Sequence, residues 1–212
     1  LRSQFTNNTS PDDGTVLGLI VYGNSTLNVS AINNTFAHNT DLGNGGVLYF
    51  ELATDSTINM DFQGNYFTNN TAINIGGAVY AYFGGLGQVA FECTSNVFDG
   101  NKATNQNGGV FAFFSIDPTI GNFGFDNNTI QNNVAGKNGS FLSIQAGGDS
   151  IQMLQINGGL FQHNQAQNGL LYFSSESSQE IFMGNSQLWN NSASGAGGIM
   201  CGFGKGNNSY QS

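Results

Sequence analysis

Residues 67–80 read Phe67-Thr-Asn-Asn-Thr-Ala-Ile-Asn-Ile-Gly-Gly-Ala-Val-Tyr80, and weaker copies of this stretch stand on both sides of it. An apolar residue precedes an asparagine by three positions at Phe5/Asn8, Phe36/Asn39, Phe67/Asn70, Phe98/Asn101, Ile130/Asn133, Phe161/Asn164 and Leu188/Asn191. Successive apolar members are 31, 31, 31, 32, 31 and 27 residues apart. A glycine, often doubled, follows the later copies at Gly45-Gly46, Gly76-Gly77, Gly108-Gly109, Gly139, Gly169 and Gly197-Gly198. A period this constant is the signature of a solenoid, in which one supersecondary unit is repeated and stacked.

Residue type selects the kind of solenoid. Helical repeats need apolar residues at 3.6 spacing, whereas here short apolar runs are broken by Gly and Asn. Alternation with period 2 leads into each Phe-x-x-Asn, as in Met60/Phe62, Phe91/Cys93 and Phe123/Phe125, and a second apolar run follows each glycine, as in Val47-Leu-Tyr-Phe50. No segment is left for a crossover helix. The expected fold is all-β: a single-stranded parallel β-helix of about seven coils with a repeat of about 31 residues. At ~4.8 Å between stacked strands, seven coils make a rod of about 30 Å. One domain is expected over residues 1–203, starting inside a repeat, with a polar and mobile Gly/Asn/Ser tail at 204–212.

Phe-x-x-Asn followed by Gly-Gly-Ala-Val-Tyr resembles the repeat of the polymorphic outer-membrane protein family, whose tandem FxxN and GGA[ILV] motifs form β-helical passenger regions. The resemblance runs from Phe5 to Phe203, and both motifs are intact in the copy from Phe67 to Tyr80. It implies a cell-surface, adhesive or structural role without catalysis.

Two columns are expected to run down the inside. One stacks Phe5, Phe36, Phe67, Phe98, Ile130, Phe161 and Leu188, each contributing about 1.5–3 kcal/mol when buried. The other is a ladder of Asn39, Asn70, Asn101, Asn133, Asn164 and Asn191 at a turn, each amide bonding its neighbours as stacked Asn does in cross-β structures. In the run after the glycine, Leu48/Phe50, Val79/Ala81, Phe111/Phe113 and Leu171/Phe173 read as inward. The opposite parity, marked by Tyr49, Tyr80, Leu142 and Tyr172, reads as an exposed apolar stripe. A stripe of that kind calls for a cover, either another copy of the chain or a carbohydrate.

Composition narrows the partners. Only 8% of residues are charged and the net charge is −9, so no basic patch for nucleic acid can be assembled. No apolar run approaches the ~20 residues of a membrane-inserted helix. The chain shows no signal peptide and no initiator Met, and it reads as a mature or excised segment. Asn-x-Ser/Thr sequons stand at Asn7, Asn8, Asn24, Asn28, Asn33, Asn69, Asn127, Asn138, Asn190 and Asn207. Asn7, Asn69 and Asn190 share one register and Asn33 and Asn127 another, so N-linked glycans in rows are expected on a secreted eukaryotic protein.

Cys93 falls in a core column and Cys201 three coils away, beyond the roughly 7 Å that a disulfide spans. No intrachain bridge is expected, and an intermolecular one is open to Cys201. Asn39-Thr40-Asp41 resembles an aspartate motif of the polygalacturonases, but Gly-His-Gly and Arg-x-Lys companions are missing and the Asp12-Asp13 pair lies in a preceding turn. His38 and His163 share a repeat position about four coils apart, with no carboxylate beside either. No catalytic residue, metal or cofactor is expected. The reading is an extracellular structural glycoprotein that self-associates end to end and laterally; a surface adhesin is the alternative and a polysaccharide hydrolase or lyase the third.

Overall fold

The computed structural model describes residues 2–53, 55–85, 87–117, 119–148, 150–175, 178–204 and 208–211. Those residues form a parallel β-solenoid. Four sheets run its length, each seven strands deep and parallel throughout. One turn of chain supplies one strand to each, for example Thr57–Gln63, Tyr66–Thr68, Thr71–Ala72 and Val79–Gly84. The sheets are called D, A, B and C in that order. Register follows the repeat: Phe67 pairs with Phe36 and Phe98. The Phe36 and Phe67 rings stack at 4.6 Å and the Phe67 and Phe98 rings at 5.0 Å. Ile130, Phe161 and Leu188 continue the column. Phe5 and Leu188, in the end coils, are partly exposed.

Each coil passes sheet A between two corners, and both corners turn through a residue in the left-handed region. At the corner after sheet A these are Asn7, His38, Asn69, Asn132, His163 and Asn190, with Gly100 in the same column. At the corner before sheet A they are Asn33, Ser95, Asn127 and Asn185, with Gly64 and Gly158. Asn tolerates this backbone because its short side chain bonds locally.

The residue after each corner turns inward. Asn101 donates its side-chain amide to the Oδ1 of Asn133 at 3.1 Å and to the carbonyl of Phe67 at 2.8 Å, and its backbone N–H also reaches Asn133. The same pattern links Asn39, Asn70, Asn133, Asn164 and Asn191. A second ladder, absent from the sequence reading, runs through Asn34, Asn65, Asn96 and Asn128 at the other corner. Buried amides are thus satisfied at both ends of sheet A.

The inward parity expected for Leu48/Phe50, Val79/Ala81, Phe111/Phe113 and Leu171/Phe173 holds, and the glycine-rich approach to sheet C corrects it for the first residue of the run and for Leu142. The N–H groups of Val47 and Leu48 both donate to the Ala78 carbonyl, and those of Ala78 and Val79 both donate to Val110. Two N–H groups sharing one carbonyl make a bulge that turns successive side chains to the same side. Val47, Ala78, Val110 and Leu170 therefore belong to the core beside Leu48 and Val79. Leu142, expected on the outer stripe, pairs with Phe111 and is fully buried inside. Gly77 is required at this bend: a Cβ there would collide with the Gly109 carbonyl and the Lys102 backbone.

Residues 208–211, expected as part of a mobile tail, form a strand paired with Ser178–Gly184. Among the described residues no helix is long and apolar enough to cross a membrane, which leaves β-barrels unaddressed.

Candidate functional site

The tyrosine stripe is the first expectation to place. Tyr49, Tyr80 and Tyr172 share one outward column of sheet C with Ala112, Ser143 and Cys201. They are not an open surface. Tyr80 is only 8% exposed and Tyr172 only 9%. The cause is the glycine loop of the repeat itself, which folds against this column. Virtual side chains on Gly14, Gly76 and Gly108 would touch the Cβ atoms of Tyr49, Tyr80 and Ala112. The Tyr49 and Tyr80 rings also stack on each other at 5.6 Å, so their faces are occupied. Tyr49 is half-buried and bonds Glu51 at 2.8 Å. Burial and the nearby carboxylates push both phenols well above their usual range. Cys201 is likewise buried and unbridged, and Cys93 sits in the core in register with Phe62 and Phe125, its thiol pushed far up by burial.

What stays open on sheet C is the next outward column, where Tyr82 and Phe114 stack at 5.8 Å and are half-buried. The broadest open face belongs to sheet D. Its seven-residue strands alternate strictly, inward positions buried and outward positions exposed, as in Thr57–Gln63. Asp61 and Glu92 lie on the two strands before Ile120–Asp126, and partial desolvation, then Asp126 and Asp61, raise the Glu92 carboxyl. Toward the C-terminal half, Ile120, Ile151, Met153 and Phe182 are 45–51% exposed. Ile120 and Ile151 pair directly, while Met153 pairs with exposed Glu180 and Phe182 with Gln155. Sequence reasoning missed this patch because the period-2 pattern was read for its inward residues alone.

Among the described residues Asp41 is a strongly perturbed carboxylate. It takes the inward position that Ala72 and Ala103 hold in the next coils. Fully buried, it accepts the Gly43 N–H at 2.6 Å and faces the Thr15 hydroxyl at 3.5 Å. Burial raises its pKa to about 6, opposed by the Gly43 bond and helped by Asp13 and Asp12. Asp13 in turn accepts the Asn44 N–H at 2.6 Å. A raised acid beside other carboxylates is the pairing that glycosidases use. Here the acid faces the core, where no substrate reaches it. The two histidines are corner residues; His163 lies 3.4 Å from the Asn190 amide. Among the described residues no cluster of three or more His, Cys, Asp or Glu is placed to hold a metal.

The sequons separate by environment. Asn7, Asn24, Asn33, Asn69, Asn127 and Asn190 are exposed. Asn28 is exposed on sheet D, where it accepts the Asn59 amide at 2.9 Å. Asn8 donates its amide to Asn39 at 2.9 Å, and half-buried Asn138 accepts Asn168 at 2.7 Å. Asn207 lies outside the described residues.

Comparison with protein-family models, with curated proteins and with solved structures finds no match to this chain.

Proposed function

We propose that the chain is a non-catalytic extracellular structural glycoprotein, a filament or surface-coat subunit built by end-to-end and lateral packing of β-solenoids. The observation that carries this reading is the set of exposed apolar side chains on the outer face of sheet D. Ile120, Ile151 and Met153 cluster on it with Phe182 nearby, bordered by Glu180 and Gln155, and exposed apolar clusters of that kind mark interaction sites. The occupant that suits it is a second copy related by a two-fold axis, which sets the same patch on both sides of the contact. With the axis through the C-terminal half, Asp61 and Glu92 of the two copies diverge rather than oppose, and Glu180, in register with Met153, lies at the contact. End-to-end growth draws on the outermost strands of each sheet, whose backbone groups are in position to pair with a further coil. The shielded Tyr80 and Tyr172 no longer serve as the lateral contact.

A surface adhesin remains the second reading, favoured by the half-buried Tyr82–Phe114 pair on sheet C. The orientation of Asp41 into the core weighs against a polysaccharide hydrolase or lyase. Electron microscopy of native material tests the first reading: filaments or ordered layers with a repeat of ~4.8 Å along the rod support it. Isolated single particles that bind a glycan array favour the adhesin.

A further inference from the structure

We infer that Asn33, Asn69 and Asn127 are N-glycan attachment sites, selected from the ten sequons by a glycine placed in the next coil. This rests on the extracellular reading above and deepens it by naming the modified atoms.

All three occupy left-handed corner positions, with φ of 57, 52 and 53°. All three are exposed, and each is followed two residues on by a threonine: Thr35, Thr71 and Thr129. In each case the residue of the same column one coil further is glycine: Gly64, Gly100 and Gly158 respectively. The Oδ1 of each asparagine lies where the Cβ of that glycine would be. A larger residue there would push the amide aside. With the oxygen seated over the glycine, Nδ2, the atom that carries an N-linked sugar, is directed away from the rod. None of the three Nδ2 groups donates to a protein acceptor among the described residues.

Corner asparagines outside sequons behave otherwise. Asn132 donates its Nδ2 to Asp99 at 2.8 Å, and Asn185 donates to Asn157 at 3.0 Å. Asn8, though within a sequon, gives its Nδ2 to the ladder, so a sugar there would break the first ladder bond. The distinction therefore lies in the amide nitrogen and in the space beside it rather than in exposure alone. Glycans at these positions project from both corners that flank sheet A and leave the outer face of sheet D bare for packing.

The test is peptide mapping of the native protein after enzymatic removal of N-glycans in heavy-oxygen water, which marks each formerly glycosylated asparagine as labelled aspartate. Label at Asn33, Asn69 and Asn127, with none at Asn8, is the expected result. Label at other sequons with those three unmodified overturns the inference while leaving the glycoprotein reading in place. No label at any sequon overturns both. As a control on the role of the column, Asn69→Asp, whose short side chain tolerates the same left-handed corner, should remove one glycan's mass with the unfolding midpoint little changed.

Discussion

The side-chain oxygen of Asn101 accepts two hydrogen bonds from Asn70, one from its backbone N–H at 3.2 Å and one from its amide at 2.9 Å. Each rung of the ladder thus ties the coil before it to the coil after it, in a fully buried setting. Replacing Asn101 by Ala leaves both Asn70 donors and the Phe67 carbonyl without their partner. An orphaned buried group costs about 1–3 kcal/mol, so Asn101→Ala should lower stability by ~3 kcal/mol in urea unfolding. Asn69→Ala, one residue away in an analogous coil but exposed, should cost about 1 kcal/mol, the penalty of a left-handed backbone for a residue without the short polar side chain of Asn.

Gly77 and Gly198 sit in equivalent double-glycine motifs with opposite surroundings. A Cβ on Gly77 meets neighbouring backbone, whereas one on Gly198 meets nothing within 4 Å. Gly77→Ala should destabilise by roughly 3 kcal/mol or more, because backbone cannot yield as a side chain does. Gly198→Ala should change the unfolding midpoint by less than ~0.5 kcal/mol equivalent.

The inward placement of Leu142 is tested by truncation. Leu142→Ala should cost about 3 kcal/mol through the cavity it leaves. Ser143, its outward neighbour, offers no such cavity because it points away from the core cluster.

Asp41 makes stability depend on pH in a defined direction. Burial holds its carboxyl at about 6 in the folded chain, against 3.8 for an unperturbed aspartate. The folded state therefore holds a proton that the unfolded state has released between those values, and stability falls as pH rises from about 4 to about 6. Solvent at the neighbouring end coil screens the charge, so the loss is about 1 kcal/mol. Asp41→Asn keeps the Gly43 bond without the charge. It should be more stable than the parent at pH 7 by that amount, equal to it at pH 4, and flat between.

Much of this architecture was legible in the sequence. Phe36, Phe67 and Phe98 stack because the repeat holds their spacing at 31 residues, and one Asn per coil at fixed offset announces its ladder. The second ladder was harder to see. It ends where Gly159 and Ser186 replace asparagine, and its members are mixed with corner asparagines of different role. The outer stripe was misread for two physical reasons. The bulge at Val47–Leu48 turns both side chains inward, and Gly139 stands for the first glycine of the pair with Ser140 in place of the second, which sets Leu142 in the register of Leu48 and Phe111. The glycine loop then covers Tyr80, and the path of a loop is not written in its composition. The unmatched Asp41 could have been found by aligning coils, since it interrupts a column of alanines.

Lateral self-association through sheet D is the claim on which the structural reading turns, and sedimentation velocity over a hundredfold range of protein concentration measures it most directly. The native protein should sediment with a mass that rises with concentration above that of a single glycosylated chain. Met153→Asp, which sets a second carboxylate beside Glu180 and removes the apolar side chain, should hold it at one chain while leaving the unfolding midpoint in place. A native protein that stays a single chain throughout, or a Met153→Asp variant that assembles as the parent does, would contradict the account.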